Sequence, residues 1–284
     1  GIKIEIIDFR NVKTYDKKGI RYLQANIEDS HGLIVKLDKE SAFSCYEKKQ
    51  LWKLRITNYD PRILQEHHSE HRHEYMIARE VLEADAIINI PKIKTHRKAG
   101  ITAALKNLVG INANKEYLPH HQVGSEEEGG DAYQYKNLWY DMANKVLDIK
   151  NIFNSKKEYE KEKIAFDFYN LLYNEGRSCC KYMDNYWEGS WYGNQTIWRT
   201  ILDLNKILLY GKMDGTISNK IVRKMFIVGD MIIAGEKEGP LVPSPVSAGV
   251  LVLGSDALAF DRTVCALMGY DEKNIPCLLF YNMN

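Results

Sequence analysis

The chain predicts an α/β fold: a mostly parallel central sheet flanked by helices, with a helical insertion around residues 139–210. Three observations carry this. Several short apolar runs are continuous rather than alternating, as expected of strands covered on both faces. Segments between them repeat apolar residues at helical spacing. The stretch from about Trp139 to Tyr210 has helical stripes and no strong strand signal.

In chain order, the strand candidates are Ile2–Asp8, Leu33–Leu37, Ala86–Ile90, Met225–Val228 with Met231–Ala234, and Gly249–Leu253. Tyr75, Ala78, Val81 and Leu82 suggest a helix ending near Ala84, and Ile101, Leu105 and Leu108 suggest another starting near Ala99 or Gly100. Leu138, Met142 and Val146 repeat the pattern, as do Ile164, Phe168, Leu171 and Leu172. Ile197, Ile201, Leu204 and Leu208 make the clearest stripe, with Thr196 or Asn194 available as a cap. A last helix follows Asp256 and stops at Gly269. The charge run Lys156–Lys163 reads as a solvated helix face. With no internal repeat or long linker, residues 1–284 are expected to form one α/β domain. Gly1, followed at once by a strand-like run, reads as a tag remnant on a truncated N-terminus.

Composition narrows the class. At 284 residues and 45% hydrophobic, the chain can bury about three quarters of its unfolded surface. With 18 Tyr, 8 Phe and 5 Trp it is not a disordered chain. No apolar run approaches the roughly 20 residues that span a bilayer, so no membrane partner is expected. The five cysteines include no C-x-x-C pair, and Cys179-Cys180 are adjacent. No iron–sulfur cluster or zinc ribbon is expected, and a reducing, cytoplasmic setting with mostly buried thiols follows.

The formal net charge is only +1, but it is unevenly placed. Between Ala86 and Lys115 there is no acidic residue, whereas Lys92, Lys94, Arg97, Lys98, Lys106 and Lys115 supply six positive charges; taking these six from +1 leaves −5 for the rest. The window follows a buried strand, where an open α/β sheet binds ligands. Lys92, Lys94 and His96 alternate and would share one side of an extended segment. On the helix expected after Gly100, Lys98, Thr102 and Lys106 fall at i, i+4 and i+8, with Asn107 adjacent. Together they suit a phosphate or carboxylate. A solvated basic face is the competing reading. No Walker A or Gly-x-Gly-x-x-Gly loop is present.

A second cluster is Glu66-His-His-Ser-Glu-His-Arg-His-Glu74. If helical, it places His67, Glu70, His71 and Glu74 on one face able to hold a divalent metal, and His120-His121 could join it. A polar surface helix is the plainer alternative. Asp230 and Glu236 form an acidic group, read as the end of an apolar strand and the Gly-rich turn after it; they suit acid–base or metal chemistry, or simple turn chemistry. Trp187, Trp191, Tyr192 and Trp198 read as packing ahead of stacking on a ligand.

Ala84-Asp-Ala-Ile-Ile-Asn-Ile-Pro-Lys-Ile-Lys-Thr-His96 with Gly100-Ile-Thr-Ala-Ala-Leu-Lys-Asn-Leu-Val-Gly110 closely resembles the core motif of a bacterial and archaeal family, domain of unknown function 362. The similarity extends through Lys115 and Pro119-His-His121, and returns in Asp230–Glu236, Gly239-Pro240, Gly254–Asp261 and Leu267–Gly269. The resemblance implies Lys94, His96, Lys106, Asn107, Asp230 and Glu236 as site residues. It supplies no reaction. Ferredoxin-like cysteine clusters found in some members are missing here, as is the earlier Lys-Pro-Asn strand.

These readings favour an enzyme acting on a small phosphorylated or carboxylated substrate. Lys92, Lys94, Thr102, Lys106 and Asn107 would bind the anion. His96 or His121 would carry the proton, and Asp230 and Glu236 would orient the substrate or hold a divalent metal. One alternative is a redox or metal-handling accessory protein using His67, Glu70, His71 and His120. Another is a non-catalytic anion or nucleic-acid binder, against which the modest total charge argues.

Overall fold

A computed structural model describes residues 4–10, 12–17, 20–25, 32–179 and 187–281. Its centre is a five-stranded sheet flanked by helices. The strands Ala86–Asn89 and Lys92–His96 run parallel to the long strand Lys224–Glu238, in line with one another beside it. The strand Val242–Gly254 returns antiparallel to Lys224–Glu238 as a hairpin, and Gly100–Thr102 lies antiparallel to Lys92–His96. Three of the five strands therefore share one direction. The expected runs at 225–228 and 231–234 are parts of one strand, with a bulge between Met231 and Ile233.

One face of this sheet carries the core. Met225, Ile227 and Met231 point inward at a spacing of two, against Phe260 and Val264 of the helix Ala257–Met268. Asp256 caps that helix by accepting from Ala259 N, and Gly269 ends it at φ 73°, both as expected. The helix Ile197–Tyr210 joins the same core through Ile197, Ile201, Leu204 and Leu208. The other face is not covered along its length: Ile88, Phe226, Leu251 and Leu253 are exposed. The apolar runs that suggested strands buried on both sides are thus buried on one.

The helices Leu138–Ser155 and Tyr159–Cys179 form a second, aromatic core with Tyr133 and Trp187. The insertion is this pair, since Ile197–Tyr210 packs in the main core instead. Their inward faces sit beside the expected ones. Tyr140, Ala143 and Leu147 face Ala165, Tyr169 and Leu172, while Leu138, Ile164, Phe168 and Leu171 are exposed. A buried Lys150–Glu162 pair at 3.4 Å, with Asn154 donating to Glu162, fixes the two helices together.

Three other expectations change. Residues 4–10 have no regular structure, and Ile2 and Lys3 lie outside the described residues. Tyr75 and Ala78 belong to the strand Arg72–Ala78, paired with Gly32–Lys36, and only Arg79–Glu83 is helical. The helix expected from Gly100 is delayed to Ala104–Asn107. Gly100 takes φ +78° and folds the chain back, so residues 100–102 pair with 94–96 before any helix can begin. Cys265 and Cys277 are buried, but Cys45 and Cys179 are exposed, and Cys180 lies outside the described residues. Among the described residues, no helix is long and apolar enough to cross a membrane.

Candidate functional site

The basic strand ends at a cleft. Along Lys92–His96, Ile93 is fully buried beneath the sheet, and alternation turns Lys92, Lys94 and His96 to the opposite side. Two cavities of about 570 and 700 Å³ adjoin there, and His96, Lys106, His120 and Pro240 line both. Lys98 lines the first; Lys94, Thr102 and Asn107 line the second. The site therefore lies at the carboxyl end of the sheet strand, as an α/β fold predicts. Lys98, Thr102 and Lys106 reach it from a turn, a strand and a short helix, not from one helical face.

The hydrogen bonds around the two histidines assign their protons. His96 Nδ1 accepts from the backbone N–H groups of Lys98 (3.1 Å) and Ala99 (3.2 Å). A nitrogen that accepts carries no hydrogen, so neutral His96 bears its proton on Nε2 and is a donor there. His120 is the reverse: its Nδ1 donates to the Leu118 carbonyl at 2.8 Å, which leaves Nε2 bare. Burial, reinforced by Lys106 and Lys98, pushes His96 down to about 2. Burial and Lys98 push His120 down to about 3. Both rings are held neutral near pH 7, and His96 presents an Nε2–H donor. His121 is buried in the two-residue strand paired with Leu54–Arg55 and lines neither cavity; His120 takes its place.

The lysines are unevenly satisfied. Lys98 donates to the Glu188 carbonyl, and Lys94 reaches the Lys92 carbonyl at 3.3 Å. No described residue hydrogen-bonds to or ion-pairs with the Lys106 ammonium. Loss of water, then repulsion by Lys98 and Lys94, brings Lys106 down to about 8. The Thr102 hydroxyl beside it is buried and has no partner among the described residues.

Lys106 is held in place from the far end of the chain. Asp261, within the helix Ala257–Met268, accepts from Ala104 N (2.7 Å) and Leu105 N (3.1 Å) and so caps the short helix bearing Lys106. Burial raises its carboxyl to about 7 against the pull of those two N–H groups. Asn107 donates to Asn89 (2.7 Å), and Asn89 donates to the Ala104 carbonyl, tying that helix to the sheet. His120 was expected as a metal ligand beside His67 and His71 and instead lines this cleft, while Asp261 did not stand out as a functional residue in the sequence. A carboxylate inside the apolar face of Phe260, Val264 and Cys265 was the signal for Asp261.

The remaining candidates lie elsewhere. Lys92 is exposed and pairs with Asp230 at 2.8 Å, because the two stand opposite in the parallel register. That contact, more than any other, holds the Asp230 carboxyl below its ordinary value. Glu236 is exposed on the same strand, opposite Ser244, and is not in a turn. Neither carboxylate lines the cleft, so the expected acidic partners of the lysines are absent from the described lining.

The histidine cluster is not one helix. The helix Pro61–His67 gives way to a hairpin in which His68–Ser69 pairs with Arg72–His73 across exposed Glu70 and His71. His67 contacts Glu74 at 2.8 Å and stacks on Tyr117 at 3.6 Å. His68 Nε2 donates to the Tyr117 carbonyl, and its Nδ1 faces His73 Nδ1 at 3.3 Å. His73–Ile77 lie in the strand Arg72–Ala78, defined by its antiparallel pairing with Gly32–Lys36, and both of its sides are largely buried. Among the described residues, no group of three or more His, Cys, Asp or Glu is placed to hold a metal ion.

Fold and cleft define an α/β protein with a lysine- and histidine-lined pocket at a strand end. A family model, Domain of unknown function (DUF362), matches residues 40–266, and the chain belongs to that family. No curated protein and no solved structure matches it.

Proposed function

We propose that the cleft binds a small organic anion, phosphorylated or carboxylated, as the substrate of an enzyme. The observation that carries this is the Lys106 ammonium: a half-buried cation that no described residue ion-pairs, with two further lysines nearby and the cavity's Glu238 paired to Arg97. Isolating a cation in this way is unfavourable unless a ligand completes it. Lys94 and Lys98 supply the surrounding positive field, while Thr102 and the His96 Nε2–H add neutral donors. His120 Nε2 is a neutral acceptor for a substrate hydroxyl or amine.

The test is calorimetric titration of inorganic phosphate and of acetate into the wild-type chain, Lys106→Met and His67→Ala. Binding by wild type and His67→Ala, lost in Lys106→Met, supports the reading. Equal binding by all three, or by none, overturns it.

A further inference from the structure

We propose that Lys106 is a reactive amine that condenses with the carbonyl carbon of a small anionic aldehyde or 2-oxo acid, forming an imine in the cleft. This rests on the anion-binding reading above and adds the chemical class of the ligand and a covalent step.

Four features point the same way. Lys106 lines both cavities. No described residue ties it up. Its flanking lysines, Lys98 and Lys94, disfavour a third positive charge, and burial adds to that. The His96 Nε2–H, on a residue that lines both cavities with Lys106, and the Thr102 hydroxyl, without a partner among the described residues, suit an oxygen that becomes negative during addition.

The step balances without an oxidant or reductant. The amine lone pair forms the C–N bond, and the carbonyl π pair moves to oxygen, steadied by the two donors. Proton transfer from nitrogen to oxygen gives the carbinolamine, and the hydroxyl then leaves with a second proton as water. The carboxylate or phosphate of the same molecule lies against Lys94 and Lys98. When that anion offsets their repulsion, loss of water remains as the cause that keeps Lys106 below an ordinary lysine.

The experiment uses glyoxylate with cyanoborohydride, which reduces any imine to a stable secondary amine, followed by peptide mapping of the full chain. At pH 8 a lysine titrating near 8 has roughly a hundredfold larger neutral fraction than one titrating at 10.5. Lys106 is therefore expected to be modified far ahead of exposed Lys39, Lys49 and Lys163, with a midpoint near pH 8. Glyoxylate should outpace uncharged acetaldehyde by about tenfold or more, and added inorganic phosphate should slow it and raise the midpoint. In Lys106→Arg the charge remains and the adduct disappears, while phosphate still binds. Modification of Lys106 no faster than of the exposed lysines overturns the proposal. Equal rates for acetaldehyde overturn the anionic class. Intact phosphate binding without an adduct removes only the imine, whereas loss of both removes the anion site as well.

Discussion

The His67–Glu74 hairpin and the Lys94–Lys106 segment are both dense in polar side chains, yet they satisfy them in opposite ways. In the hairpin, His67 meets Glu74 and His68 meets both a carbonyl and His73, and the buried His73 Nε2 is the atom left without a partner among the described residues. In the cleft, His96 and His120 each use one nitrogen on the backbone, while Lys106 and Thr102 have no side-chain partner among the described residues. The difference separates polar groups that hold a fold together from polar groups held ready for something else. Residue type does not make that distinction; partnership does.

Acid challenges both regions at once and has the largest expected effect. His68, His73, His96 and His120 sit near 3, 4, 2 and 3 in the folded chain, and His121 is also lowered, burial being the main cause in each. The unfolded chain takes up these protons near 6.5 and the folded one does not, so stability falls as pH drops below about 6.5. Asp131, Asp203 and Asp261, raised to about 6, 6 and 7, work the other way because the folded chain protonates them first. Five histidines outweigh three carboxyls. Urea unfolding at pH 5 should therefore show a stability at least about 2 kcal/mol below that at pH 7. An unchanged or higher value would mean that the histidines are not buried neutral.

Lys106→Met should weaken phosphate binding by roughly 10- to 100-fold, the value of one hydrogen bond to a charged group. The same change should leave thermal stability equal or higher, because it removes a cation with no partner. A fall in melting temperature would place Lys106 with the structural groups of the hairpin.

Asp261→Ala removes the cap from two buried N–H groups and should cost about 2 kcal/mol in chemical unfolding. It should also weaken phosphate binding, since Lys106 rides on the helix that Asp261 holds. Stability lost with affinity intact would break that link.

Glu74→Ala should cost about 1–2 kcal/mol of stability and leave phosphate binding as it was. If binding fell with it, the two regions would be one functional unit. The smallest effect belongs to Asp230→Asn: its pair with Lys92 is exposed, so neither melting temperature nor phosphate binding should change measurably. A large loss of binding would return Asp230 to the site.

Much of this contrast was legible in the residues, and the gaps have physical causes. The uneven charge marked the window from Lys92 to Lys115, and the apolar strand before it placed that window at a sheet end. The helices at 197–210 and 257–268 were legible because their stripes are local, as are the cap and stop of the second; those at 138–155 and 159–179 were placed by periodicity, although most of the apolar residues that showed it lie at the exposed edge of each helix. Gly100 was not, since its left-handed turn depends on pairing that a helical spacing of Ile101, Leu105 and Leu108 conceals. The strand at Arg72–Ala78 was hidden because both of its sides are largely buried, which erases the period of two. Glu236 and Asp230 were misplaced because a long hairpin strand reads as two short strands and a turn. The choice between His120 and His121 hangs on which of two neighbours turns inward.

Gly239 has a further consequence. Its Cα lies so close to the Thr95 carbonyl that an added Cβ would stand 2.0 Å from the oxygen. Gly239 O also accepts from Arg97 N, and Thr95 donates to the Lys237 carbonyl. The segment Gly239–Val242 that roofs the first cavity is therefore fastened to the strand that forms its floor. Roof and floor move together, so little ordering entropy is lost when a guest arrives. Encounter should be quick and nearly independent of any rearrangement at Gly239.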